Sequence, residues 1–159
     1  MARKVFFSFH YSDILLVSQI RNSWRIRPGS ETQPFHDRAE WEKVKRQSPS
    51  TIKTWIDTQL KGSSVTVVLV GAATDTRPWV KYEIESSIAQ KKGIVFIDLD
   101  GMKTTQGYLY RSGSSPAGWT LNRTKQPLST YYKSYNWVRD NGYQNMGQWV
   151  EDALNAPKP

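Results

Sequence analysis

The segment Val65-Thr66-Val67-Val68-Leu69-Val70 is apolar or β-branched at every position and offers no polar face to water. A strand of this kind must be covered on both sides, the condition of a central strand in a parallel sheet flanked by helices. Ile94-Val95-Phe96-Ile97-Asp98-Leu99 repeats the pattern, and Arg3 to Phe9 reads as a first strand. Helical patterns stand between them. Ser12 or Asp13 can N-cap a helix to about Trp24 whose Ile14, Val17, Ile20 and Trp24 share one face. Ser48-Pro49, a capping serine with proline at the first helical position, opens a second helix to about Leu60. Its Ile52, Trp55, Ile56 and Leu60 lie at helical spacing, and Lys61-Gly62 stops it. Thr76 to about Gln90 reads as a third, with Val80, Ile84 and Ile88 inward.

Strands alternating with helices imply right-handed crossovers and a doubly wound, flavodoxin-like α/β fold with a mainly parallel sheet. If the strand order is the flavodoxin-like 2-1-3-4-5, the switch point lies between the first and third strands. A single domain over 1–159 is expected. Arg25 to Gln47 is a polar connection with at most a short edge strand around Gln33 to His36. Residues 100–133 form a long irregular excursion with room for a hairpin. After Tyr135-Asn136-Trp137-Val138, a turn at Asp140-Asn141-Gly142-Tyr143 precedes a closing helix from Gly147 to Leu154.

Composition removes several classes of function. The absence of cysteine excludes disulfides, thiolate metal sites and a cysteine nucleophile. No apolar run approaches the ~20 residues of a membrane span, so a cytosolic setting without a membrane partner is expected. The net charge of +8 attracts polyanions, but no basic run exceeds two residues, which argues against a dedicated nucleic-acid arm. A specific nucleic-acid partner is therefore not expected. The dinucleotide G-x-G-x-x-G, P-loop, G-x-S-x-G and H-E-x-x-H motifs are all missing.

The loops bordering the switch point are Phe9 to Asp13 and Gly71 to Trp79. They can bring His10, Tyr11, Ser12, Asp13, Thr74, Asp75, Trp79 and Glu83 to one crevice. Trp79 and Glu83 are four apart and share a helical face. A lone carboxylate beside aromatic rings suits cleavage of a glycosidic bond through a ribosyl cation, whose charge the anion stabilises. In isolation, Glu83 would read as a solvated helix residue, Trp79 as packing and Asp13 as an N-cap. His10 and His36, far apart and without cysteine companions, make a poor metal site, so none is expected.

Three spaced segments resemble the TIR-like domain family, in particular its members in Thoeris antiphage-defence systems. They are Val5-Phe6-Phe7-Ser8-Phe9-His10-Tyr11-Ser12-Asp13, Ser63 to Gly71, and Arg77-Pro78-Trp79-Val80-Lys81-Tyr82-Glu83-Ile84; Tyr135 to Tyr143 adds a fourth. The family's W-C-x-x-E motif corresponds to Trp79-Val80-Lys81-Tyr82-Glu83, with valine in place of cysteine. The resemblance implies an enzyme with Glu83 as catalytic residue that breaks the nicotinamide–ribose bond of NAD. NAD is then substrate, with no separate cofactor. The implied product is a cyclic ADP-ribose-type messenger for a separate effector, ThsA, and self-association into an active assembly is implied as well. On that reading Phe7, Ser8, His10, Tyr11, Asp13 and Trp79 contact substrate, Phe7 and Trp79 as an aromatic wall. Two other readings of the chain are a non-catalytic TIR-like assembly module and, from charge and aromatic content alone, a nucleic-acid-binding domain.

Overall fold

A computed structural model describes residues 3–26, 29–32 and 46–159. The strands are β1 (Lys4–Ser8), β2 (Glu31–Thr32), β3 (Val65–Val70), β4 (Gly93–Asp98) and β5 (Ser134–Asn136). They form one sheet in the order β2-β1-β3-β4-β5, every pair parallel. This is the flavodoxin-like order, with the switch point between β1 and β3. The helices are α1 (Ile14–Arg25), α2 (Pro49–Leu60), α3 (Pro78–Ala89) and α4 (Gly142–Asn155).

The period-two alternation of each strand divides the core into two layers. Val5 and Phe7 of β1, Val65, Val67 and Leu69 of β3, and Val95 and Ile97 of β4 face α1 and α4. On the other side, Phe6 packs with Ile52, Ile56 and Leu60 of α2, while Val68, Val70, Ile94 and Phe96 meet Val80, Ile84 and Ile88 of α3. Every residue of β3 is buried, as its unbroken apolar run demands.

The elements start where their local chemistry dictates. Ser48 caps α2 by accepting from the Thr51 N–H, with Pro49 at the first helical position. At α1, Asp13 occupies the N-cap position but makes no capping bond; its carboxylate is drawn elsewhere by a stronger partner, described below. The closing helix begins at Gly142 rather than Gly147, because the Asp140-Asn141-Gly142-Tyr143 turn is its entry. Asn141 adopts a left-handed φ of 54° and Gly142 packs under the Trp137 ring, where a Cβ would lie 2.0 Å from a ring carbon.

The 100–133 excursion contains the hairpin for which the sequence left room. Gly101 N–H donates to the Tyr110 carbonyl and Tyr110 N–H to the Met102 carbonyl, both at 2.8 Å, and Lys103 bridges Leu109. The rest of the excursion carries Ala117, Leu121, Leu128 and Tyr132 into the α3 side of the core. The edge strand expected at Gln33 to His36 lies outside the described residues; β2 is seen at Glu31–Thr32. Among the described residues no helix is long and apolar enough to cross a membrane.

Candidate active site

A pocket of about 150 Å³ opens beyond the carboxyl ends of β1 and β3. The turn leaving β1 and two helices on one sheet face build it. The β1–α1 turn supplies Phe9, His10 and Tyr11; α2 supplies Ile52, Trp55 and Ile56; the start of α3 supplies Arg77, Trp79, Val80 and Glu83. A larger cavity of about 540 Å³ lies between the start of β4, Tyr131 to Tyr135 and the end of α4. The smaller one is the candidate site, because the buried carboxyl group of Glu83 stands in its wall.

Glu83 is 7% exposed. Its Oε1 accepts a hydrogen bond from the Ser8 hydroxyl at 2.7 Å, joining residues 75 positions apart. Ser8 is fully buried at the last position of β1, on the Phe6 face, so strand alternation aims its hydroxyl at α3. Burial disfavours the charged carboxylate and pushes Glu83 up to about 8, while the Ser8 bond pulls the other way. Its backbone is pinned too: the Glu83 carbonyl accepts from Ser87 Oγ at 2.7 Å, and Ser87 Oγ lies 2.6 Å from Thr66 Oγ1 on β3.

The rest of the predicted constellation divides. Half-buried Trp79 stands edge-on to Tyr82, with ring centroids 5.9 Å apart and planes at 84°. His10 and Tyr11 both line the pocket. His10 Nδ1 accepts from the Ser12 N–H at 3.1 Å. A backbone N–H can only donate, so the neutral imidazole carries its proton on Nε2. Phe7 is not in the pocket wall: it points through the opposite face of β1 into the core under α1, and Phe9 stands in the wall instead. Ser12 is exposed, and Thr74 is buried at the start of a short 3-10 helix, its hydroxyl accepting from the Gly71 N–H.

Asp13 is neither a helix cap nor a pocket wall. It is 4% exposed, and its Oδ1 accepts from the Tyr110 hydroxyl at 2.5 Å. Burial raises its pKa and the Tyr110 bond lowers it, the former prevailing. Among the described residues no group of three His, Asp or Glu side chains could hold a metal ion.

Sequence reasoning missed Phe9, Trp55 and Arg77. The signal for Trp55 was available, since two successive right-handed crossovers from β2 to β3 and β3 to β4 place α2 and α3 on one face. Trp55 then stands one turn from Ile52 toward the α3 side. Arg77 precedes Pro78 at the helix start and is the pocket's cationic residue.

Residues 6–104, from β1 into the excursion, match the family described as Thoeris protein ThsB, TIR-like domain. The chain belongs to this family. The matched span holds Ser8, the His10–Asp13 turn, Trp79 and Glu83, the segments that carried the resemblance. Over 191 aligned residues the chain is also 29% identical to a Bacillus cereus (strain MSX-D12) protein named "Putative cyclic ADP-D-ribose synthase ThsB1", covering 94% of this chain and 100% of that relative. In this ThsB-type TIR-like domain Glu83 stands beside an aromatic wall, and Val80 packs into the core on the α3 side.

Proposed function

We propose that this protein cleaves the nicotinamide–ribose bond of NAD and converts the dinucleotide into a cyclic ADP-ribose-type signal. The observation that carries this reading is the buried Glu83 carboxyl on the wall of an aromatic pocket at the switch point, supported by the name of the ThsB1 relative.

The pocket volume suits one aromatic ring rather than a dinucleotide. Nicotinamide enters between Trp79, Phe9 and Trp55, while the diphosphate and adenosine lie outside, the diphosphate within reach of Arg77. Free Glu83 is largely protonated at neutral pH, but the pyridinium of NAD brings a positive charge that favours the carboxylate. As the C1′–N bond breaks, its electron pair leaves with nicotinamide, which becomes neutral, and positive charge develops on the ribosyl carbon. The Glu83 carboxylate stabilises that cation, held in place by the Ser8 hydroxyl. A nucleophile of the same molecule closes the ring. His10 presents Nε2–H as a hydrogen-bond donor toward the substrate's oxygens.

On this reading the reaction runs in the cytosol, its diffusible product activates a separate effector, ThsA, and self-association of the domain completes the active assembly. The test is incubation with NAD and mass analysis of the products. Cyclisation gives a product one water lighter than hydrolysis, and Glu83→Gln abolishes nicotinamide release while leaving the fold intact. Assembled wild-type protein that leaves NAD untouched would refute the reading and favour a contact-only signalling module.

A further inference from the structure

We infer that Tyr110, in the hairpin of the excursion, is a positioning residue for the pocket: its hydroxyl ties the β1–α1 turn to the loop after β3. The hydroxyl donates to Asp13 Oδ1 at 2.5 Å and accepts from the Ala72 N–H at 2.7 Å. Asp13 closes the turn that presents His10 and Tyr11, its N–H donating to the His10 carbonyl at 2.9 Å. Ala72 follows β3 and leads into α3, which carries Trp79 and Glu83. One phenol therefore joins the two segments that border the opening.

The knot has no slack. Gly71 packs so closely that a Cβ there would sit 1.9 Å from Asp13 Oδ2 and 2.8 Å from the Tyr110 hydroxyl. Asp13 Oδ2 is buried and has no hydrogen-bond partner among the described residues, so the Tyr110 bond is what holds that carboxyl group. Tyr110 is itself fixed by two backbone bonds across its hairpin, through Met102 and Gly101. The tip of that hairpin, by contrast, is exposed: Tyr108 and Leu109 are 73% and 70% accessible.

Two sets of hydrogen bonds thus control different parts of the site. Ser8–Glu83 is set by sheet register and helix position, whereas the His10–Tyr11 wall depends on Asp13 and Tyr110. Losing the Tyr110 hydroxyl loosens the wall and leaves the carboxyl group untouched, which predicts weaker substrate binding with unchanged chemistry.

The kinetic part of the test rests on the NAD-cleaving reading. Tyr110→Phe is expected to raise KM for NAD about tenfold, with kcat and the midpoint of the pH profile within about twofold of wild type. Asp13→Ala should match it, the double variant should be no worse than the poorer single one, and Asp13→Asn, which keeps an accepting oxygen, should restore KM. Tyr108→Phe at the exposed tip is the neutral control. Hydrogen exchange supplies a readout independent of turnover: in Tyr110→Phe, the amides of residues 10–13 and 71–74 should exchange about tenfold faster while those of α2 do not change. Wild-type KM and wild-type exchange at those amides would overturn the inference, as would a uniform rise in exchange across the sheet. If wild-type protein releases no nicotinamide, the functional reading falls and the exchange experiment alone decides the role of Tyr110.

Discussion

Replacing Glu83 by glutamine should stabilise the free protein at alkaline pH, a consequence of burying its carboxyl group beside the Ser8 hydroxyl. Glu83 is pushed up to about 8 from an ordinary value of 4.5. A folded state that holds its proton more tightly than the unfolded chain has this contribution in full below about 4.5. The contribution is lost as pH rises through about 8, above which both states are ionised and the slope flattens. Linkage gives a loss of about 3–4 kcal/mol between pH 5 and pH 9. That is a large part of a domain's ~5–15 kcal/mol. Glutamine keeps an oxygen for the Ser8 hydroxyl and has nothing to ionise. Every other titrating group, including Asp13, is common to both proteins and cancels in the difference. Urea unfolding of wild type and Glu83→Gln at pH 5, 7 and 9 measures it: the midpoints should diverge by roughly 1–2 M toward high pH. Curves that stay parallel within ~0.5 kcal/mol would refute the burial argument.

Three further outcomes follow from the same geometry. Because the carboxylate is the working form, kcat/KM for NAD should rise about tenfold per pH unit below about 8 and level off above it; a flat profile from pH 6 to 9 would show that Glu83 ionises normally. Ser8→Ala removes a side-chain donor to Glu83, so the midpoint of that profile should move to higher pH and activity at pH 7 should fall, with steady-state kinetics as the check. Gly142→Ala drives a Cβ into the Trp137 ring and should cost about 1–3 kcal/mol in thermal or urea unfolding, with no change in KM.

The fold was legible because its signals are local and unambiguous. The run Val65 to Val70 reads as a central strand, Ser48-Pro49 opens a helix, and the alternation of strands with helices implies a parallel sheet whose order 2-1-3-4-5 the structure then shows. Glu83 was legible because fold topology and a spaced motif converged on it. What the sequence concealed were relations across the chain. Strand alternation alone puts Phe7 and Ser8 on opposite faces, yet which face held the pocket depended on the placement of α2. Asp13 looked like a cap because N-capping is the default for an aspartate before an apolar helix; only the packing of Tyr110 from the excursion reveals a different partner. Residues 100–133 hid most, since glycine, serine and tyrosine there carry no periodicity while the contacts they make are long-range.

The pegging of α3 to the sheet, from Thr66 through Ser87 to the Glu83 carbonyl, gives the pocket walls of unequal compliance. The helix cannot roll about its own axis without breaking that chain, so the carboxyl side meets any guest as a fixed template. The opposite wall, braced from the excursion by the Tyr110 phenol, is the one that can yield. Compounds seeking this pocket must therefore fit the Glu83 side as they find it, and differences in selectivity among related domains should arise where the His10–Tyr11 wall gives way.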